Sequence, residues 1–309
     1  MQIVIIGAGG VGGYFGGKLA AAGFDTSFLV RGKTLEAIKS NGLRVKSISG
    51  DFHVHPAASD NYDIIKTADL IILSVKSWQI DDIAKKIKPL MNENTVVLPL
   101  QNGADNANRL TKIVGSHHVL AGLCRIVAKI DSPGIIDHFG YEPEVLFGEI
   151  DNSKSARVEL IHSIFTKAGF KNKISDDIQR DIWLKFLFIA SISAMGALTR
   201  SVLGVMREDS YIRSVLIKTA REIVLVGQRL GINIHEQDIE NCFAIIDKID
   251  YQTTMSLQRD MMQEKPSELD NFNGYIVQQG DLLKIDTPVN DFIYYSLKPM
   301  ENAARNLRM

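Results

Sequence analysis

The sequence predicts an α/β protein with an N-terminal doubly wound parallel sheet and a C-terminal all-helical domain. In the first half, short apolar runs alternate with helical stretches, a pattern typical of parallel sheets. A glycine-rich turn joins the first strand to the first helix, and no convincing strand follows Ile174. The 309 residues allow two domains. We place the N-terminal domain at residues 1–174 and the helical domain, expected to carry substrate binding and catalysis, at residues 175–309.

Apolar runs of strand length predict the parallel strands, at residues 3–6, 26–30, 70–75 and 95–100. The helices predicted between them cover residues 11–22, 33–40, 80–88 and 105–114. Residues 43–56 alternate in polarity around Ser49-Gly50-Asp51, which predicts a hairpin insertion. Further strands are expected within residues 119–130 and 134–148, and they would make the far edge more antiparallel. The second half predicts helices at residues 177–199, 212–230, 239–248, 267–284 and 290–306.

The first turn of the chain carries a specific glycine motif. The strand is followed at once by Gly7-Ala8-Gly9-Gly10-Val11-Gly12, and then by a helix. In this strand–turn–helix context, G-x-G-x-x-G is the dinucleotide-binding fingerprint of a Rossmann-type domain. Gly7 permits the tight turn, Gly9 lets the backbone approach a pyrophosphate, and Gly12 allows close helix–strand packing. The helix N-terminus, with Gly10 and Val11, offers free N–H groups to the phosphates.

The end of the second strand favours NADPH over NADH. NAD-specific sites usually place an acidic residue there, to bind the ribose hydroxyls. Here the strand is followed by Arg31-Gly32-Lys33 instead. The planar guanidinium of Arg31 can bind a 2′-phosphate, and Lys33 adds positive charge. The alternative is an ordinary solvated basic loop.

Composition and charge exclude several classes of partner. The formal net charge is −1, so no general field attracts nucleic acid or an anionic membrane. The two cysteines, Cys124 and Cys242, are far apart, which argues against a disulfide framework and favours a reducing compartment. No His/Cys cluster has the spacing of a zinc site, so no metal is predicted.

The hydropathy pattern indicates a cytoplasmic protein without a membrane partner. No basic region precedes the N-terminal apolar stretch, so we do not expect a signal peptide. The longest apolar run, residues 186–198, is too short to span a bilayer and is bounded by Lys185 and Arg200. The apolar helices of the second half exceed the needs of a small domain, which favours a homodimer without separating core from interface.

Several polar residues could carry chemistry. Lys76 and Asn102 follow parallel strands and belong near a nicotinamide, although a solvated loop lysine and a tight Asn-Gly turn are the alternatives. Lys185 opens an apolar helix. A lysine there can extend its ammonium group to solvent at the helix edge. Alternatively, a partly desolvated lysine can donate a proton to the alkoxide that forms when hydride adds to a ketone. Ser267 can cap a helix whose first turn holds Glu268 and Asp270.

Taken together, these motifs resemble the ketopantoate reductase (2-dehydropantoate 2-reductase) family over nearly the whole chain. The features that carry the resemblance occur in a consistent order and spacing. They are the glycine motif, Arg31-Gly32, Val75-Lys76-Ser77-Trp78-Gln79, Leu100-Gln101-Asn102-Gly103, Trp183-Leu184-Lys185, Ser256 with Asp260, Ser267-Glu268-Leu269-Asp270, and Asn273-Gly274.

The resemblance implies a reaction and residue roles. The reaction is the reduction of 2-dehydropantoate to (R)-pantoate by NADPH, a step toward pantothenate and coenzyme A. The implied roles are Lys185 as general acid, Glu268 as the acid that engages the substrate hydroxyl and supports the lysine, Ser256 as a carboxylate contact, Lys76 and Asn102 as contacts near the nicotinamide and the reacting group, and Arg31 as the 2′-phosphate clamp.

One departure leaves the substrate open. Better-known members carry two substrate-facing asparagines, four and eight residues after the lysine, where this chain has Ile189 and Ser193. Both positions keep the helix face of Lys185, so Ser193 is still a candidate substrate contact, but Ile189 cannot hydrogen-bond. Two alternatives therefore stand beside the leading hypothesis: a family paralogue that reduces another 2-oxo acid, and a regulatory protein that binds NADPH without turnover. Retention of Lys185 and Glu268 argues against the second.

Overall fold

The computed structural model describes residues 1–306. It divides into two units, Met1–Ile178 and a second unit that begins at Gln179. The strands, in chain order, are β1 (Ile3–Ile6), β2 (Thr26–Leu29), β3 (Leu43–Ser47), β4 (Phe52–Val54), β5 (Ala57–Ser59), β6 (Leu70–Leu73), β7 (Val96–Pro99), β8 (Ala121–Arg125), β9 (Ala128–Ser132), β10 (Ile135–His138), β11 (Glu144–Gly148) and β12 (Lys171–Ile174). The helices are α1 (Gly10–Ala21), α2 (Gly32–Asn41), α3 (Ile80–Ile87), α4 (Asn106–Val114), α5 (Ala156–Lys167), α6 (Ile178–Thr199), α7 (Leu203–Glu208), α8 (Ser210–Arg229), α9 (Glu236–Ile246), α10 (Ser256–Met262), α11 (Asn273–Leu283) and α12 (Pro288–Asn306).

The first unit is built on a five-stranded sheet in the order β5-β2-β1-β6-β7. Every pair in this sheet is parallel. All residues of β1, β6 and β7 are buried, which explains their continuous apolar sequences, since both faces of a parallel sheet are covered. The order brings the carboxyl ends of β2, β1, β6 and β7 to one edge of the sheet. This confirms the predicted α/β fold class and brings the candidate residues that follow these strands, Gly7, Arg31, Lys76 and Asn102, to one edge.

Two smaller sheets complete this unit. The order of one is β4-β3-β10-β9 and that of the other is β12-β11-β8, and each mixes parallel and antiparallel pairs. The hairpin predicted at residues 43–56 is confirmed by the antiparallel pair β3 and β4. The region predicted at residues 119–148 contains four short strands. The sequence patterns missed β5, β12 and α5.

The second unit is helical, with no strand among its described residues 179–306. The helix predicted at residues 267–284 is wrong in its first part. A short 3-10 turn, Leu269–Asn271, follows Glu268, and the α-helix begins only at Asn273. Ser267 does not start an α-helix there: its N–H and hydroxyl donate to Glu301 of α12, and its hydroxyl accepts the N–H of Leu269 at the start of the 3-10 turn. The patterns also missed α7 and α10.

Helix α6 confirms the helix predicted at residues 177–199 and contains the longest apolar run. The helix has 22 residues and is long and apolar enough to cross a membrane by length and composition, whereas the apolar run alone is shorter. However, 72% of its most apolar stretch is buried within the protein. Such burial is typical of a core helix, so its composition is weak evidence for membrane insertion.

Candidate active site

The glycine turn between β1 and α1 has the geometry of a phosphate-binding loop. Gly7 adopts φ +96°, a conformation that side chains rarely allow. A Cβ at Gly12 would stand 2.1 Å from the Gly7 carbonyl oxygen, and one at Gly10 would stand 2.6 Å from the Ala128 carbonyl oxygen. Both glycines are therefore required by close backbone packing. Ser74 Oγ supports the turn by donating to the Gly7 carbonyl at 2.8 Å.

The N-terminus of α1 fits the pyrophosphate of a dinucleotide. Gly9 precedes the helix, and no side chain caps the first turn. A Cβ at Gly9 would meet nothing within 4 Å, so this residue faces open space, unlike Gly10 and Gly12. Val11 is partly exposed in the first turn of the helix. An uncapped helix start that faces open space leaves backbone N–H groups and the positive end of the dipole for an anion.

The neighbouring strand ends bring further candidates to the same edge. Arg31, the residue before α2, and Lys33 are exposed at the end of β2, and no side chain caps that helix either. Lys76 is half-buried beyond β6, just before the 3-10 turn Ser77–Gln79. The strands β2 and β6 flank β1 in the sheet. Arg31 and Lys33 therefore lie on one side of the glycine turn, and Lys76 lies on the other.

Asn102 lies in the loop after β7 and is held there by a residue that the sequence analysis missed. The buried side chain of Asn106 donates from Nδ2 to the carbonyl oxygens of Gln101 and Asn102, at 3.1 Å each. Gly103 has φ +127°, and a Cβ there would stand 3.2 Å from Asn106 Oδ1. The only sequence signal for Asn106 was a polar residue at a predicted helix start.

Arg109 joins this loop to the turn that follows Lys76. Its guanidinium donates to Asp81 Oδ1 at 2.9 Å and to the Ser77 carbonyl at 3.1 Å. Burial raises the pKa of Asp105, the residue before α4, against the opposing charge of Arg109. The two strand ends that carry Lys76 and Asn102 are thus connected through the side chain of Arg109.

In the second unit, Lys185, Ile189 and Ser193 share one face of α6. Lys185 is partly exposed, whereas Ile189 and Ser193 are buried. Ser193 Oγ donates to the Ile189 carbonyl at 2.5 Å, so the helix backbone already takes its proton. The face beyond Lys185 therefore offers the branched apolar side chain of Ile189 and a hydroxyl that is engaged within the helix.

Glu268 is buried in the segment between α10 and α11 and lies near the same helix. Its side chain is 4% exposed. The ring of Phe272 packs edge-on against Phe186, with centroids 6.2 Å apart, and Asn273 Nδ2 donates to the Ala190 carbonyl at 3.5 Å. The chain that follows Glu268 thus runs along α6 from the residue after Lys185. The structure brings the segments of these two candidates together within one unit.

Ser256 is the first residue of α10 and is partly exposed. The side chain of Gln258 fixes this helix start, because it accepts from the Met255 N–H at 3.3 Å and donates to the Ser201 carbonyl at 2.9 Å. Ser201 lies two residues after α6, so the start of α10 is tied to the end of the helix that carries Lys185. Within residues 1–306, no group of three or more His, Cys, Asp or Glu residues could hold a metal.

Comparisons with known proteins match both units of the chain to the same family. A family model described as "Ketopantoate reductase PanE/ApbA" matches residues 3–152, and "Ketopantoate reductase PanE/ApbA C terminal" matches residues 177–301. An uncharacterized oxidoreductase, YkpB of Bacillus subtilis, is 29% identical, covering 97% of this chain and 99% of its own. A 2-dehydropantoate 2-reductase of Pyrococcus horikoshii is 26% identical, covering 98% of each chain. The crystal structure of a PanE/ApbA family ketopantoate reductase from Ralstonia eutropha JMP134 has a TM-score of 0.91 and 28% identity, covering 99% of this chain and 100% of that one.

Proposed function

This chain belongs to the ketopantoate reductase family of nicotinamide-dependent oxidoreductases, and we propose that it reduces 2-dehydropantoate to (R)-pantoate with NADPH. The observation that carries the proposal is the buried acid Glu268, in a segment whose Phe272 packs on Phe186, the residue after Lys185 on α6. A binding protein needs neither residue, whereas carbonyl reduction needs a proton donor and a group that positions it.

We assign the residues as follows. When bound, NADPH supplies the hydride. Lys185 polarises the substrate carbonyl and donates a proton to its oxygen, while Glu268 binds the substrate hydroxyl and supports the lysine. Ser256 binds the substrate carboxylate, with Ser193 as a further substrate contact. Lys76 and Asn102 lie near the nicotinamide and the reacting group.

The cofactor assignment to NADPH rests on the edge of the parallel sheet. The uncapped start of α1, with Gly7, Gly9, Gly10, Val11 and Gly12, would hold the pyrophosphate. Arg31 would hold the 2′-phosphate, because it is exposed at the end of the strand next to β1. The described residues that follow β2 directly, Val30 to Lys33, include no acid that would bind the ribose of NADH instead.

The test is an assay of cofactor oxidation. NADPH oxidation, followed by the loss of the absorbance of the reduced nicotinamide, is measured with 2-dehydropantoate, 2-oxoisovalerate, pyruvate and no substrate. Fast turnover with 2-dehydropantoate alone supports the assignment. Turnover that is faster with another acid would instead support a paralogue, the second candidate, which Ile189 and the engaged hydroxyl of Ser193 favour. No turnover with tight NADPH binding would indicate a regulatory protein.

Two further properties belong to the proposal. We expect a cytoplasmic protein, because neither Cys124 nor Cys242 forms a disulfide in the described chain. We also expect a homodimer through the helical unit, where Tyr211, Leu282 and Phe292 are 65–76% exposed. Light scattering at two protein concentrations would test the dimer.

A further inference from the structure

We propose that Glu301 is a positioning residue for this reaction, because its buried carboxylate fixes the backbone from which Glu268 projects. The inference rests on the proposed role of Glu268 in the reductase. Glu301 belongs to α12 and lies 33 residues further along the chain, and it is 1% exposed. Nothing in its sequence context distinguishes it from a solvated helical acid.

The contacts of Glu301 converge on Ser267, the residue before Glu268. The Ser267 N–H donates to both carboxylate oxygens of Glu301, at 3.1 and 3.0 Å, and Ser267 Oγ donates to Oε2 at 2.5 Å. Arg305 pairs with Glu301, its Nε lying 2.7 Å from Oε1, and also donates to the Ser267 carbonyl at 3.2 Å. The N–H, the hydroxyl and the carbonyl of Ser267 are therefore all held by α12.

The same helix holds the other side of Glu268. Asp270 Oδ1 accepts from Tyr294 Oη at 2.9 Å and also from Lys298 Nζ. Arg305 reaches the second oxygen of Asp270 at 3.7 Å. The residues that make these contacts are spaced by four, three and four positions, which puts them on one face of α12: Tyr294, Lys298, Glu301 and Arg305.

The backbone of Glu268 is consequently confined on both sides. Its own carbonyl accepts the N–H groups of Asn271 and Phe272, at 3.0 Å each, and closes the 3-10 turn. A buried carboxylate is costly unless hydrogen bonds and a counter-charge satisfy it, and replacing such a pair with apolar residues is often harmless to stability. Stability alone therefore gives little reason for a charged Glu301 at this position. Fixing the direction of Glu268 requires directed bonds, which a carboxylate supplies.

The test compares Glu301→Gln and Ser267→Ala with a reference and a matched control. Ser267→Ala removes the hydroxyl bond to Glu301 and the bond that the hydroxyl accepts from the Leu269 N–H at 3.2 Å. It leaves the Glu301 carboxylate paired with the Ser267 N–H and with Arg305, so it covers the case in which Glu301→Gln misfolds. Glu268→Gln is the reference for the proposed function. Asp238→Asn is the control, because Asp238 is also buried, accepts a backbone N–H at 2.8 Å and binds an arginine at 2.8 Å, but on α9.

We expect Glu301→Gln and Ser267→Ala to lower kcat/KM for the preferred 2-oxo acid by about 10- to 100-fold, as small misplacements of reacting groups do. The dissociation constant for NADPH should stay within about two-fold, since unconnected sites behave independently. Asp238→Asn should lower the melting temperature without this fall in kcat/KM. Amide exchange of residues 264–273 should be faster in the first two variants and unchanged in the control.

The outcomes separate the two proposals. Normal kcat/KM in Glu301→Gln and Ser267→Ala, together with a severe loss in Glu268→Gln, would overturn the positioning role alone. Normal kcat/KM in Glu268→Gln would overturn its assigned role and with it this inference. Equal losses of kcat/KM in Asp238→Asn would show that a buried acid matters here only through general stability, which also contradicts the inference.

Discussion

Asn106 holds Asn102 through its side-chain amide, which donates to the Asn102 carbonyl at 3.1 Å and also to the carbonyl of Gln101. The loop after β7 therefore depends on one buried side chain at the start of α4. Asn106→Ala should leave both carbonyls without this donor and release the loop that carries Asn102. We expect a fall in kcat/KM of about ten-fold or more, because misplaced groups near the reacting atoms are costly.

Asn108→Ala is the matched control for this loop, because Asn108 is on the same helix but is exposed. Steady-state kinetics of both variants, with thermal melting to confirm folding, would check the prediction. A similar kcat/KM in Asn106→Ala and the parent protein would mean that the loop is held well enough by its backbone.

Arg31 is expected to select the cofactor through the 2′-phosphate. A charge-assisted hydrogen bond contributes about 1.5–3 kcal/mol, so Arg31→Ala should raise the KM for NADPH by about 10- to 100-fold. The KM for NADH should hardly change, because NADH has no phosphate at that position. Lys33→Ala should have a smaller effect, since a flexible ammonium binds less directionally. Equal changes for both cofactors in Arg31→Ala would contradict the assignment.

The Glu149 carboxylate links the stability of the first unit to pH. Burial alone would raise its pKa, but hydrogen bonds from Arg157 at 2.5 and 2.6 Å and from Ser155 at 2.6 Å outweigh burial and lower it below the ordinary 4.5. A lowered folded-state pKa stabilises the protein above the unfolded-state pKa, and this contribution is lost as the pH falls through the folded-state pKa.

Removing the arginine should expose this pH dependence. Arg157→Ala is expected to lower the free energy of unfolding by about 1.5–3 kcal/mol at neutral pH. The difference from the parent should shrink below about pH 4.5, where the carboxylate becomes protonated. Urea denaturation at neutral and acidic pH measures this difference in the free energy of unfolding. The control is Lys154→Ala, at an exposed neighbouring position. A difference that stays constant with pH would contradict the prediction.

The parts of the site predicted from the sequence are those that depend on local pattern. Gly7, Arg31, Lys76 and Asn102 follow predicted parallel strands, so their place at one edge could be inferred from strand order alone. The helix start predicted at Ser267 was wrong because a serine before acidic residues resembles a helix cap, whereas the helix itself begins at Asn273.

Tertiary contacts decided the segment that was wrongly predicted. Glu301 takes both the N–H and the hydroxyl of Ser267, across 34 residues of chain. No periodicity in α12 indicates which of its polar residues is buried, since that depends on how α12 packs on the segment before α11. The positions of the candidate acid and its support could therefore be learned only from the structure.

Lys185 is the residue whose loss should separate catalysis from binding. Lys185→Ala is expected to lower kcat by about 10²- to 10⁴-fold, the usual contribution of a general acid. NADPH binding, measured by fluorescence titration, should be nearly unchanged, because the cofactor is assigned to the first unit. The matched control is Lys218→Ala on α8. A parent protein that binds NADPH but shows no turnover with any 2-oxo acid would instead be a regulatory protein.

Ile189 is expected to weaken recognition of a substrate hydroxyl. The informative comparison is between 2-dehydropantoate and 3,3-dimethyl-2-oxobutanoate, which differ only by that hydroxyl group. Because Ile189 offers no hydrogen bond and Ser193 already donates to the helix backbone, the ratio of their kcat/KM values should be modest in the parent protein. Ile189→Asn should raise the ratio by about ten-fold, the value of one hydrogen bond of about 1–1.5 kcal/mol.

The control for this substitution is Ile189→Val, which keeps an apolar side chain and should leave the ratio unchanged while slightly lowering stability. Thermal melting must accompany both variants, since Ile189 is 7% exposed and a buried asparagine without a partner would destabilise the helix. If Ile189→Asn folds and the ratio stays constant, this face of α6 does not contact the hydroxyl end of the substrate. Discrimination between 2-oxo acids would then have to come from Glu268 and its surroundings.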